Sequence, residues 1–527
     1  MCYRICNIWQ ITKRICRRIV KGEYEKIMKK IGNILLSIIT ATFALLFAWI
    51  IINSIFLGES VIFSYNSSFL VIFTLLDIVT MTIFYKKVIT KIVKYKYLPY
   101  ILFVVFGAVA IIVSYHLRVQ PTWDMGRVFN IAKEYVETGI VTDVYLYEYQ
   151  NNLAITYIFT IIFKVFRKLN YTDYITGITV INALIVTATV ICTYFAVKKM
   201  YGKEKGLMTL IICLFTTPLY LYGAIYYTDT LSMFFCALSL LLYVLIRDEK
   251  NKIKNIILQI LFGVILGLGF QIKVTALFII IAILVEQILN FKFKNIFNNF
   301  KITMPIAIVF LILFNMVSNK YVIPNKQILN SCKMPMQYWI LIGSTGNGGF
   351  NQELYEHVKG YGTYEERKNA ATEKFVEIIK QYTIPTFIKH INTKLKFTWS
   401  DGTYFVPEKL RRDPIERGTL FEYCAAGGEK TECYKYFPQV MHISMLVLMV
   451  VVAINTLRKF ESDDVFLVIS VFGIAVFLMF WENRSRYLLT LLPIMLILKV
   501  RGLHILSNLV NKNKFLKLNE GEVENEK

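Results

Sequence analysis

The residues able to do chemistry come in a few short stretches. Asp124 stands in RVQPTWDMGRVFN (118–130), directly after about twenty apolar residues and at the head of a segment with helical spacing. A carboxylate there can accept backbone N–H groups at a helix amino terminus, where the helix dipole favours it. It can equally serve as a general base held at a membrane boundary. In YEYQNNLAITYIF (147–159), Asn151 and Asn152 open an apolar run, where amides cap a helix or bind a polar headgroup. In LYGAIYYTDTLSMFF (221–235), Asp229 falls between two apolar runs, a position in which an acid must be capped, paired or used. Its tyrosine neighbours read as an aromatic belt. Lys273, in GFQIKVTAL, is the only charge between Lys254 and Glu286, and it either snorkels to an interface or neutralises a phosphate. Finally FWENRSRYLLTLLP (480–493) gathers Glu482, Arg484 and Arg486 before an apolar run, and guanidinium groups there suit an anionic ligand because they pair bidentately with phosphate.

Other chemistries find less support. The five histidines (His116, His357, His390, His442, His504) lack ligand spacing and form no Ser-His-Asp order, so a divalent cation could be held only by carboxylates such as Asp124 and Asp229, and no cofactor is read. STGNGGF (344–350) has three glycines without the strand, spacing or lysine of a phosphate-binding loop, and reads as a turn. Cys2, Cys6, Cys16, Cys192, Cys213 and Cys236 read as free thiols in basic or apolar surroundings, while Cys332, Cys424 and Cys433 fall in the largest polar region, where a Cys424–Cys433 bridge is left open.

The elements that must position these residues are membrane spans. Of 527 residues 56% are hydrophobic and 15% aromatic, in long apolar runs, which indicates an all-helical polytopic membrane protein. Runs near 34–57, 68–86, 97–116, 152–168, 173–197, 206–226, 228–246, 255–271, 273–291, 301–318, 438–456, 463–480 and 485–500 give about 12–13 spans. The net charge of +23 comes from lysines and arginines clustered in short loops (85–97, 197–206, 247–255, 290–301, 458–464), which assigns them to the cytoplasmic face and argues against nucleic acid as a partner. The plasma membrane is the expected location, with Asp124, Asp229 and the 482–486 loop all on the outer side. No cleavable signal is expected in the basic amino-terminal segment.

The organisation expected is a basic cytoplasmic segment (1–33), a transmembrane core (34–318) with a first outward loop (117–150), an extracytoplasmic insert (319–437), terminal spans (438–503) and a cytoplasmic tail (504–527). After Asp124, the apolar positions Met125, Val128, Phe129, Ala132 and Val136 share a face, which predicts a helix lying along the membrane surface. In the insert, Tyr364, Ala371, Phe375 and Ile378 predict a helix over 363–382. One conflict stands: with 197–206 cytoplasmic, the runs at 152–168 and 173–197 cannot both be simple crossings.

In order along the chain, Asp124 with its surface helix, YQNN, YYTDTL, KVTA (273–276), KFTWSDGTYF (396–405) and ENRSRYLLTLLP resemble the GT-C class of integral-membrane glycosyltransferases that use polyprenyl-phosphate sugars, a group that includes protein O-mannosyltransferases and bacterial aminoarabinose transferases. The resemblance covers about residues 98–503. It implies a many-helix fold with an outward cavity. Its partners would be a polyprenyl-phosphate-linked sugar in the bilayer and an extracytoplasmic acceptor, which is a protein, polymer or lipid. Asp124 would deprotonate the acceptor hydroxyl, while Arg484, Arg486 and Lys273 meet the leaving phosphate and Asp229, Asn151, Asn152 and Glu482 line the site. The chain departs from the pattern in having one acid rather than two adjacent acids in the first loop, and in two spans before residue 98. A lipid or lipid-linked-glycan flippase is the competing class, although such transporters favour repeats and mid-membrane charges.

Overall fold

Long apolar runs oblige a backbone to satisfy its hydrogen bonds internally. In the computed structural model, which describes residues 2–57 and 63–524 (side chains for 26–56, 63–320 and 322–509), the described elements are helices and one isolated bridge between Val119 and Pro414. Helices α1 (Cys2–Ile52), α2 (Ser67–Phe84) and α3 (Leu98–His116) precede the Asp124 loop. Beyond it lie α4 (Trp123–Thr138), α5 (Leu153–Lys168), α6 (Tyr174–Tyr201), α7 (Lys203–Phe215) and the short α8 (Thr217–Leu221). Next come α9 (Thr228–Asp248), α10 (Lys252–Ile272), α11 (Phe278–Leu289) and α12 (Thr303–Tyr321). The insert carries α13 (Met336–Gly343), α14 (Tyr364–Gln381), α15 (Ile384–Trp399) and α16 (Val406–Leu410) among shorter turns, and α17 (Thr431–Arg458), α18 (Ser462–Phe480) and α19 (Leu492–Glu524) close the chain.

Among the described residues ten helices are long and apolar enough to cross a membrane, and the α7–α8 pair, bent by 64° just before Pro218, makes an eleventh. The two remaining sequence candidates differ in kind. The run at 273–291 is helical over Val274–Leu289, a shorter apolar helix. The run at 152–168 is α5, whose 16 residues rise about 24 Å, short of a hydrocarbon core of roughly 30 Å.

The neighbours of α5 resolve the sequence conflict. Arg118, just past α3, bonds Thr176 in the first turn of α6, so these two ends share a face. Asn152, at the head of α5, accepts a bond from Tyr227, just before α9, at 3.0 Å. At its other end Arg167 donates to the carbonyl of Val136 in α4. Phe129 of α4 packs on Phe163 of α5 with ring centroids 5.0 Å apart. Both amphipathic helices therefore lie along the face that carries Asp124, and 152–168 is the run that does not pass to the opposite end. That opposite end is held by ion pairs: Arg501 reaches Asp464 and Glu461, Arg247 reaches Asp463, and Lys292 reaches Glu286.

The insert, expected as one unit, divides in two. Met334, Tyr338, Leu341, Ile342, Leu354, Val358 and Ala371 form a small core of their own, and the predicted helix at 363–382 appears there as α14, opened by a capping box of Thr363 and Glu366. From α15 onward the chain rejoins the main core through Trp399, Tyr404, Val406 and Leu410. Helix α15 lies on α1, where Asn392 accepts bonds from Trp49 at 2.8 Å and Asn53 at 3.0 Å. STGNGGF is a turn: Gly346 and Gly348 have φ of 52° and 79°, and the Gly348 carbonyl accepts the Asn483 N–H at 2.9 Å. Cys192, Cys213, Cys236, Cys332, Cys424 and Cys433 are free thiols, so Cys424 and Cys433 are not bridged. The side chains of Cys2, Cys6 and Cys16 lie outside the described residues.

Candidate active site

The chain leaves α3, bridges Val119 to Pro414, and turns sharply into α4. The turn is tight: Trp123 has φ 49°, and a Cβ on Gly126 would sit 2.6 Å from the Pro121 carbonyl oxygen. Positive φ on a bulky residue is strained and persists only where the surroundings enforce it. The N-cap position belongs to Thr122, so Asp124 lies within the first turn of the helix rather than capping it. Its carboxylate instead accepts the Tyr145 hydroxyl at 2.9 Å. Tyr145 accepts from the Asn152 amide at 2.6 Å, and the Asn152 carbonyl accepts from the Tyr227 hydroxyl at 3.0 Å.

These three bonds all donate toward Asp124, an arrangement in which each bond polarises the next. Tyr145, Asn152 and Tyr227 are buried while Asp124 is exposed, so a buried relay holds an open carboxylate. Burial, with Tyr227 and Asp124 beside it, pushes the Tyr145 phenol far above its ordinary range and keeps it a donor. Asn152 thus neither caps a helix by its side chain nor stands free for a headgroup. Asn151 is exposed and outside this relay. Tyr227 is a buried participant rather than a belt residue, and neither it nor Tyr145 carried a sequence signal beyond proximity to the quoted motifs.

Asp229, in the first turn of α9, is fully buried, and both its oxygens are occupied. One accepts Lys273 at 2.7 Å and the other Arg486 at 3.0 Å. The triad joins α9, the α10–α11 junction and the turn at Ser485–Leu491, and hydroxyl contacts from Thr490 to Ser232 (2.8 Å) and Thr275 (3.1 Å) seal it. Lys273 therefore neither snorkels nor stands free for phosphate, and Arg486 is separated in role from Arg484. Arg484 has no carboxylate partner among the described residues and lies over Phe405, 4.1 Å from its ring centre. Burial pushes the Glu482 carboxyl up, against the downward pull of Arg486 and Arg484. With both oxygens on cations, Asp229 has none left for a metal, and among the described residues no three His, Cys, Asp or Glu side chains converge.

A third component comes from WSDGTYFVPEKLRR. Asp401 is buried and accepts the Thr403 N–H (2.9 Å), the Phe405 N–H (2.8 Å) and the Ser485 hydroxyl (2.7 Å). These bonds hold Tyr404 and Phe405 at φ 54° and 65°, strained for aromatic residues. His442 supports the same loop, touching the Tyr404 hydroxyl at 3.0 Å and the Trp399 carbonyl at 2.8 Å. The product of this effort is α16, which presents Lys409. Its ammonium lies 5.9 Å from the ring centres of both Trp123 and Tyr227, between the neighbours of Asp124 and those of Asp229.

Lys409 is 8% exposed and, among the described residues, its ammonium has no ion pair or hydrogen bond and meets only the rings of Trp123 and Tyr227. Burial, reinforced by Arg486 and opposed by Asp229, brings it down to about 7. Arg412 stacks on Trp123 and has no carboxylate partner of its own among the described residues. Sequence reading missed both residues, since nothing in KLRRDPIERG separates them from the other basic residues of the chain. Around this centre stand the five cations Lys273, Lys409, Arg412, Arg484 and Arg486 against the four carboxylates Asp124, Asp229, Asp401 and Glu482, while Glu408 is answered by Arg411. At full ionisation one positive charge remains uncompensated. An open carboxylate facing a partly buried positive excess can take a proton from one reactant while stabilising negative charge that develops on another.

A family model described as "Conserved hypothetical integral membrane protein" matches residues 23–504. No curated protein matches the chain. Among solved structures it is similar to the oligosaccharyltransferase of Archaeoglobus fulgidus tethered with an acceptor peptide, at TM-score 0.42 and 11% identity over 80% of this chain and 51% of that one. It is similar to AglB of the same organism, in complex with an inhibitory peptide and a dolichol-phosphate, at TM-score 0.39 and 10% identity over 80% and 52%. It is also similar to ArnT from Cupriavidus metallidurans bound to undecaprenyl phosphate, at TM-score 0.33 and 10% identity over 77% and 78%. These neighbours are GT-C glycosyltransferases. The chain spans about half the length of the two archaeal chains.

Proposed function

We propose that this chain, which belongs to the family of conserved hypothetical integral membrane proteins, is a membrane glycosyltransferase that moves a sugar from a polyprenyl-phosphate donor to an acceptor hydroxyl on the face bearing Asp124. One observation carries the reading: an exposed, relay-held carboxylate adjoins Trp123, whose ring centre lies 5.9 Å from a buried lysine ammonium with no carboxylate partner among the described residues. An unpaired buried ammonium is costly and is retained where an anion arrives to complete it.

In the reaction, Asp124 takes the proton of the acceptor hydroxyl as that oxygen attacks the anomeric carbon. The bond from that carbon to the phosphate oxygen breaks, its electron pair leaves with the phosphate, and the configuration inverts. The phosphate gains one negative charge as it departs, and Lys409, Arg412 and Arg484 are the unpaired cations able to receive it. Lys273 and Arg486 act at one remove, since Asp229 already holds them and fixes the wall against which the donor lies. The motif resemblance supports the same roles for Asp124 and the 480–493 loop.

The basic loops lie at the end opposite Asp124, which supports a site on the outer side of the plasma membrane with the basic end in the cytoplasm. Residues 319–437, which contribute Asp401, Lys409 and Arg412 to the site, take part in choosing the acceptor on this reading. The flippase reading draws on one observation, the intramembrane pair of Asp77 and Lys499 at 3.1 Å. Lys499 is, however, completed by Asp77 and Ser444, which suits a helix clasp better than a transport path.

The test supplies purified protein in nanodiscs with polyprenyl-phosphate sugars and an acceptor alcohol, comparing wild type with Asp124→Asn. Transfer should fall roughly 10²- to 10⁴-fold. Equal turnover in the two proteins removes Asp124 as the base, and lipid movement with the glycosidic bond intact selects the flippase.

A further inference from the structure

At the basic end, far from this site, a groove of about 850 Å³ opens beside α1, lined by Lys26, Lys29 and Lys30, by Asn33 and Ser37, and by an apolar floor that includes Ile34, Ile38 and Leu457. The order of these residues along α1 is the argument. The three ammonium groups come first, the two uncharged hydrogen-bonding side chains one and two turns deeper, and the apolar stripe continues to Ala41. From Lys26 to Ala41 the helix rises about 22 Å, the depth of one leaflet including its headgroup layer. The far wall ends at Leu457, next in the chain to Arg458. Ile27, Ile34 and Ile38 are more than half or about half exposed, at 58%, 50% and 57%, and so leave apolar surface uncovered by the protein.

We propose that this groove binds one anionic phospholipid of the leaflet at the basic face. Its phosphate sits among Lys26, Lys29 and Lys30, its glycerol esters meet Asn33 and Ser37, and an acyl chain lies along Ile34, Ile38 and Leu457. A zwitterionic lipid carries a compensating cation and loses most of the attraction, so the groove selects by headgroup charge. The site is independent of the glycosyl-transfer reading, because none of its residues lies in the relay, the triad or the 401–412 loop.

The experiment uses the full chain in nanodiscs made of equal parts phosphatidylglycerol and phosphatidylcholine, with retained lipids counted by native mass spectrometry. Lysines near a membrane surface contribute about fivefold each, so the Lys26→Ala, Lys29→Ala, Lys30→Ala triple variant should retain phosphatidylglycerol roughly 100-fold more weakly than wild type. Phosphatidylcholine retention should not change. A matched triple variant at Lys86, Lys87 and Lys91, basic residues at the same end, should behave as wild type. Equal losses in both triples would show diffuse attraction and overturn the proposal. Ala41→Phe keeps every charge and narrows the floor, so it should also weaken phosphatidylglycerol retention, and an unaltered value there overturns the proposal too. Quantitative crosslinking of two copies through Ile38→Cys in the bilayer would show that the occupant is a second chain, and would likewise refute it.

Discussion

If Lys409 completes the site only when an anion arrives, donor capture must depend on its protonation, and the direction follows from its surroundings. Burial brings the group to about 7. Roughly half of the free enzyme then carries the ammonium at neutral pH, and about a hundredth of it two units higher. The free-enzyme profile is read by kcat/KM for the donor. That quantity should fall about tenfold per unit above roughly pH 8. Lys409→Arg keeps the charge at every accessible pH and should abolish this limb. Lys409→Met should lower kcat/KM roughly 10- to 100-fold below neutrality, the scale of a lost hydrogen bond to a charged group, and leave it flat across the limb. Stability moves the other way. Unfolded lysine holds its proton to about pH 10.4 while the folded group releases it above about 7, so the unfolded chain binds the extra proton in that window and wild-type stability rises with pH across it. The methionine variant lacks an unpaired buried charge and should be at least as stable as wild type in detergent. A persistent alkaline limb in Lys409→Arg, or a melting temperature in Lys409→Met several degrees below wild type, would refute the argument.

Asp229→Asn strands Lys273 and Arg486 and should cost about 3–5 kcal/mol in stability, whereas the exposed Asp124→Asn should stay within about 0.5 kcal/mol; thermal unfolding in detergent compares them. Asp77→Leu or Lys499→Met alone should each destabilise by about 3–5 kcal/mol and the double variant should recover most of the loss, with non-additivity read from the melting temperatures of all four proteins. Gly348→Ala places a Cβ 2.1 Å from the Asn483 side-chain oxygen at φ 79°, and should cost about 1–3 kcal/mol and loosen the 344–350 turn, seen as faster local hydrogen exchange.

The fold was legible where apolar length alone decides it. Helices such as α9 and α18 follow from runs of about twenty apolar residues, and the surface helix α4 follows from the spacing of Met125, Val128, Phe129, Ala132 and Val136. The parity conflict was legible too, but not its resolution, because Leu153–Lys168 differs from a crossing only in length and in the three cations Lys164, Arg167 and Lys168 near its end. Asp124 and Asp229 stood out as isolated acids beside apolar runs. Their partners did not, since Tyr145 is 21 residues from Asp124 and Arg486 is 257 from Asp229. Lys409 was illegible for the opposite reason: Arg411 and Arg412 follow it closely in the chain, and only its burial, which the sequence does not show, distinguishes it.

If the Asp124 face is the outer one, as proposed, its cations run against the positive-inside bias, so each of them has to be maintained by something. Lys273 and Arg486 are maintained by Asp229, and removing that carboxylate would leave two buried charges without an answer. Among the described residues Lys409 has no such partner, and the loop that delivers it is held by four bonds to Asp401 and contains two consecutive strained residues. A fold that needed only stability would place an apolar side chain at that point and relax Tyr404 and Phe405. On the proposed reading both the strain and the unpaired charge are answered by the anionic donor. In that proposal Asp124, held through Oδ1 by the Tyr145 hydroxyl, keeps its other oxygen for the acceptor proton.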